Sequence, residues 1–261
     1  MRYLGVDLAW GSRGRTGLAL VTADGTLTEA TRADGDDEIL AWLAARAHGP
    51  CLVAFDAPVI VRNRSGSRRC ERLVGRYFGA SHASCHPVSR ASPLFADGGR
   101  ALRLARALDL DSDPAAASPR RAVEVYPHPA IVSLAGLPSI IRYKRKPGRD
   151  LAFLRAEMIR LLAVIESLAG HPAPVSVRGC PDWERLRQSV TAAAAKADLA
   201  RAEDAVDAVM CASIARIAAA CPGQVRLLGT SAEGCILTPV TAAVAARIDA
   251  DGTACAWHPP A

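Results

Sequence analysis

Two apolar-rich runs come first, residues 2–9 (Arg-Tyr-Leu-Gly-Val-Asp-Leu-Ala) and 16–22, separated by a stretch containing Gly11 and Gly14. Short apolar runs flanking a glycine turn predict a β-hairpin. Asp24-Gly25 marks the next turn, and Thr26 to Arg32 reads as a third strand with one solvated side. From Asp36 to Ala47 the period changes: Ile39, Leu40, Leu43 and Ala47 fall on one helical face, with acids at 36–38 where the helix dipole favours them. Gly49-Pro50 ends that helix. Cys51 to Phe55 is then continuously apolar, as a strand buried on both faces would be. The pattern over the first sixty residues is thus β-β-β-α-β, a three-strand meander followed by a crossover helix and a strand expected beside the first.

Residues 59–121 are less regular. Ser67 to Phe78 is a basic helix, 79–97 a loop rich in Ser, His, Gly and Pro, and Gly99 to Leu110 another Arg/Leu/Ala helix. A strand at 122–126 is expected to stop at Pro127 and Pro129. Asp150 to Leu168 is amphipathic, with Leu154, Met158, Leu161, Leu162 and Ile165 on one side. Further helices are predicted at about 182–197 and from about Glu203 to Ala220, then short strands at 224–228 and 235–239. Beyond 241 the pattern chooses neither helix nor strand.

Composition narrows this picture. The chain has 261 residues, half of them hydrophobic, enough for a sizeable core. It shows no apolar run long enough for a membrane helix. The first residues enter a strand directly, without the regions of a secretory signal, so a cytoplasmic location is expected. The net charge is +6, and only Lys144, Lys146 and Lys196 are lysines. A basic chain suits a polyanion, although an Arg- and Ala-rich composition also follows from a GC-rich genome. Eight scattered cysteines without a CxxC pair read as reduced thiols. Cys70, His82, Cys85 and His86 would offer four N/S ligands, but their spacing matches no standard zinc pattern.

The chemistry lies in carboxylates placed among apolar residues: Asp7 in a strand, Asp56 at a strand end, Glu124 in a strand, and Asp204 with Asp207 one helical turn apart. Each has a bland reading. Asp56 before Ala57-Pro58 suits a turn, Glu124 suits pairing with an Arg, and Asp204 near a helix start suits the dipole; Asp7 is the hardest to explain that way. Gathered carboxylates repel unless a cation neutralises them, and hard oxygen ligands suit Mg²⁺ or Mn²⁺. Two such ions can activate water and stabilise the leaving oxygen of a phosphodiester.

The set Gly5-Val6-Asp7, Thr16-Gly17, Phe55-Asp56-Ala57-Pro58, Asn63, Arg69-Cys70-Glu71, Glu124-Val125-Tyr126-Pro127-His128-Pro129, Tyr143-Lys144-Arg145-Lys146 and Glu203-Asp204-x-x-Asp207-Ala resembles a family of predicted ribonuclease H-like nucleases, a domain of unknown function. The late Asp204-Ala-Val-Asp207-Ala motif is similar to that of the Holliday-junction resolvase branch. The resemblance spans roughly residues 3–240. It implies an α/β ribonuclease H-like fold, with an antiparallel three-strand meander plus parallel strands flanked by helices. It implies one domain over 1–261, carrying a basic insertion at about 59–121 and a helical segment at about 150–221. Asp7, Asp56 and Asp207 are then metal ligands for Mg²⁺ or Mn²⁺, Asp204 assists, and Glu124 is a further ligand or orients one. Lys144, Arg145, Lys146 and Arg149, with Arg68, Arg69, Arg72 and Arg76, would hold the phosphates of a nucleic acid, DNA or RNA; for charged surface residues simple solvation is the alternative. Tyr126 and His128 would line the cleft.

The expected activity is therefore metal-dependent hydrolysis of a nucleic acid. Two other classes stay open. An ATPase or phosphotransferase of the actin/sugar-kinase type also opens with a strand Asp and a Gly/Thr turn, but its second such turn is not visible in the sequence. A non-catalytic nucleic-acid-binding module is the other; few aromatics disfavour base stacking. No membrane partner is expected, and neither the substrate nor the oligomeric state is specified.

Overall fold

The computed structural model describes every residue except 12, 13, 115, 256, 260 and 261. Strands β1 (Arg2–Asp7), β2 (Thr16–Val21) and β3 (Leu27–Ala33) form the expected meander, and α1 (Asp36–Arg46) crosses to β4 (Cys51–Phe55). The strand β5 (Arg120–Glu124) completes a five-stranded mixed sheet of order β3-β2-β1-β4-β5. β1 pairs antiparallel with β2 and parallel with β4, and β4 pairs parallel with β5. Between β4 and β5 lie α2 (Arg69–Phe78) and α3 (Arg100–Ala107).

Side chains alternate across a strand, so each strand feeds two cores. Leu4, Val6, Leu18, Val53 and Phe55 pack against Ile39 and Leu43 of α1 and Leu104 of α3. Tyr3, Ala19, Leu52, Ala54 and Val123 face a larger core on the other side. That core is built from α5 (Leu151–Ser167), α6 (Pro181–Thr191) and α7 (Lys196–Ala220). A second sheet of β6 (Val225–Thr230), β7 (Gly234–Pro239) and β8 (Ala254–Cys255) packs on α2 and on α8 (Ala242–Ala250).

Three expectations change. β5 ends before Pro127 and Pro129, as expected, but these prolines also start a helix that was not expected, α4 (Pro127–Leu134), because proline's missing N–H costs nothing in a first turn. The helix expected from about 203 begins at Lys196, where Asp198 accepts the free N–H groups of Ala194 and Ala195 at 2.9 and 2.8 Å. Asp204 therefore lies two turns inside α7, and the helix dipole does not account for it. The undecided tail contains α8, capped by the Thr241 side chain. Among the described residues, no helix is long and apolar enough to cross a membrane.

Candidate carboxylate centre

Asp7 ends β1 and Asp56 follows β4, its N–H donating to the Val6 carbonyl at 2.8 Å. By strand alternation both point to the α7 side, Asp7 with Gly5 and Tyr3, Asp56 with Ala54 and Leu52. The centre of α7 lies directly on these strands because two glycines permit it. A Cβ on Gly17, the register partner of Asp7, would stand 1.8 Å from the Asp204 carbonyl oxygen; one on Gly5 would stand 1.9 Å from that of Ala208. No other residue fits there, so these glycines set the helix height that brings Asp204 and Asp207 over Asp7.

Asp207 is fully buried. Its Oδ1 accepts from the Tyr143 hydroxyl at 2.7 Å. Its Oδ2 lies 2.9 Å from the Lys144 ammonium, an ion pair outside hydrogen-bond alignment, and accepts no hydrogen bond. Lys144 also stands 3.8 Å from Glu203, and Arg15 stands 3.8 Å from Asp204. Five carboxylates (Asp7, Asp56, Glu203, Asp204, Asp207) thus face two cations whose side chains are 35 % and 45 % exposed, so water screens both.

The electrostatics follow from that imbalance. Burial, then the charges of Asp207 and Asp56, push the Asp7 carboxyl well above the usual range, with Lys144 opposing. Burial raises Asp56 to about 7 against the pull of Lys144, with Asp207 adding to the rise. Burial likewise lifts Glu203 to about 7. Burial disfavours the Lys144 ammonium, but Asp207 foremost reverses this and holds it charged. His128 of α4 stands edge-on to Tyr126 and tilted against Tyr143, at ring distances of 5.5 and 5.7 Å. Burial, then Lys144, depresses it to about 4, so its ring is neutral at pH 7.

Glu124 is held differently. It is the register partner of Phe55, lines one cavity with Asp56, Arg68 and Glu71, and its charge adds to the rise of Asp56. The Arg68 guanidinium grips it at 2.8 and 2.6 Å, and the Val59 N–H donates to it at 3.0 Å. Arg68 also pairs with Glu71 at 2.7 Å, and all three side chains are at most 5 % exposed. Glu124 is matched by Arg68, the pairing with an Arg that its sequence setting allowed. One expectation is corrected here: Arg68 is buried and presents no free guanidinium to a phosphate.

Of the other basic residues, Arg69, Arg72, Arg76 and Arg145 are exposed; Arg76 pairs with Asp251 at 2.9 Å. Lys144 enters the centre, while Lys146 and Arg149 line a neighbouring cleft. The sequence reading overlooked Tyr143, Glu203 and Arg15 as parts of the centre. Tyr143 and Glu203 stand beside residues it did select, and adjacency was the available signal; Arg15 carried none. Cys70, His82, Cys85 and His86 do not gather into a site. Among the described residues, no group of three or more His, Cys, Asp or Glu side chains is disposed to hold a metal ion. All eight cysteines are free thiols.

Residues 5–233 match the model of a family described as "Protein of unknown function (DUF429)", and the chain belongs to that family. No curated protein and no solved structure is significantly similar to it.

Proposed function

We propose that this protein is a metal-dependent phosphodiesterase acting on nucleic acid, built on a ribonuclease H-like fold. The fold part is supported by the sheet order β3-β2-β1-β4-β5, with its antiparallel meander and two parallel additions. The activity part is carried by one observation: Asp207 Oδ2 is buried without a hydrogen bond, met only by the Lys144 ammonium, among carboxylates raised by burial and by one another.

The donor set suits a hard divalent cation, being all oxygen and short of positive charge. Asp7, Asp56 and Asp207 would hold it once the Lys144 ammonium gives way; the side chains as they stand do not form a ready site. The chemistry such an ion supplies is activation of a water and stabilisation of charge developing on a phosphate. Tyr143 fixes Asp207 through Oδ1, leaving Oδ2 to the Lys144 ammonium alone. Lys144 offsets the charge of Asp207 until the ion arrives. His128 stands beside the centre as a neutral ring without a hydrogen bond at Nδ1. Binding without cleavage is the second reading, favoured by the ammonium that already offsets Asp207.

The deciding experiment is a panel of single-stranded, duplex, hybrid and branched DNA and RNA, with Mg²⁺ or Mn²⁺, on wild type and Asp7→Asn in parallel. Cleavage by wild type is expected to fall at least about a hundredfold in the variant, a loss of a few kcal/mol of transition-state stabilisation, with no drop in unfolding temperature. Equal activity of the two proteins, or none on any substrate, would sink the nuclease reading.

A further inference from the structure

Beside the carboxylate centre, the loop 139–149 and helix α5 enclose a cleft of about 500 Å³. Arg142, Lys146, Arg149 and Arg160 line it against a single carboxylate, Glu157, a surplus of three positive charges. Three of the four cations are held in place. Arg149 Nη1 donates to the carbonyls of Arg142 and Lys144 at 3.0 and 2.7 Å. The Arg142 guanidinium lies 5.1 Å from the Phe153 ring centroid, and its backbone N–H donates to Glu157 at 2.6 Å. Arg160 stands 3.8 Å from the far oxygen of the same Glu157. A guanidinium fixed by carbonyls or a ring loses less freedom on meeting an anion than a free surface side chain does.

The cleft and the centre share one loop. Lys144 points to Asp207 while Lys146, two residues on, lines the cleft, a backbone reach of at most roughly 7 Å. Lys144, Lys146 and Arg149 also act together on the His128 ring. A chain of phosphates leaving the carboxylates along this loop would meet the cleft next.

We propose that this cleft binds the backbone phosphates of a single nucleic-acid strand adjacent to the scissile position, with Arg142 and Arg160, outside the predicted basic loop, as its outer contacts. The proposal rests on the nucleic-acid reading above and adds where the strand lies.

The test is fluorescence anisotropy with fluorescein-labelled 12-mer single strands, one of DNA and one of RNA, in EDTA so that nothing is cleaved. Wild type is compared with Arg142→Ala/Arg160→Ala and with Arg103→Ala/Arg106→Ala, which removes the same charge from exposed positions of α3 beneath the opposite core. The cleft variant is expected to lose about tenfold in affinity, and its slope of log K against log salt to shrink by about 1.4, the value for two phosphate contacts on a single strand. The α3 variant should bind as wild type. Wild-type binding that survives in the cleft variant, or falls equally in both variants, overturns the cleft while leaving nucleic-acid binding intact. No binding by wild type removes the cleft together with the reading beneath it.

Discussion

The molecule buries two adjoining sets of carboxylates at the ends of β1, β4 and β5. In one, Glu71, Arg68 and Glu124 form a closed set: each oxygen of Glu124 meets the guanidinium, and the Val59, Val88 and Arg68 N–H groups complete the shell. In the other, Asp7, Asp56, Glu203, Asp204 and Asp207 share Lys144 and an exposed Arg15, and one buried oxygen has no hydrogen bond. Burial of acid is common to both. Completeness of pairing separates them: a satisfied network specifies packing, whereas an unsatisfied one stores repulsion that a ligand can relieve. For Glu124 itself, burial outweighs Arg68 enough to raise the carboxyl, so the closed set acts as a structural clamp with little surplus stability.

The largest expected effect breaks the closed set. Arg68→Met leaves two buried carboxylates uncompensated and should destabilise the protein by about 3–5 kcal/mol in urea unfolding at pH 7. The metal-free Asp7→Asn protein should lose nothing or gain, because a neutral amide removes repulsion. Equal losses in the two variants would erase the distinction between the sites.

A smaller effect, on the order of a few kcal/mol after allowing for the water that reaches the centre, is expected from pH. Asp56 and Glu203 have folded values raised to about 7, above those of the unfolded chain. The folded state therefore holds protons the unfolded state has released. Their contribution is fully present below about pH 4 and is lost as pH rises through about 7. Urea unfolding in EDTA at pH 5 and pH 8 should show a smaller loss for Asp56→Asn than for wild type; identical losses would mean that Asp56 is not held protonated.

The smallest sharpens the role of the shared ammonium. If Lys144 stands in for the missing positive charge, Lys144→Met should bind Mn²⁺ about tenfold tighter by calorimetry, close to 1.4 kcal/mol. Unchanged affinity would show that the ammonium does not compete for the carboxylates.

Local pattern carried much of the architecture. The meander, α1 and β4 came from period and turn residues within about ten positions of one another, and the strand ends that carry Asp7 and Asp56 came with them. Glycines 5 and 17 were legible as motif positions, but their use, the seating of α7 on the sheet, was not. The start of α7 was misplaced because the Ala-rich segment before Glu203 shows no change of period, and the cap depends on a single side chain, Asp198.

By itself, then, the sequence determined the order of the strands β1 to β7 and of most helices, though not α4 or α8, and which acids interrupt apolar runs, since these depend on neighbours in the chain. Only the tertiary structure decided which acid has a partner. Tyr143 and Lys144 reach Asp207 across more than sixty residues, and Arg68 reaches Glu124 across fifty-six. The register that opposes Phe55 to Glu124 brings that acid to Arg68 and Val59. Pairing of buried charge is a matter of distance and direction in space, which neighbours in the chain do not fix.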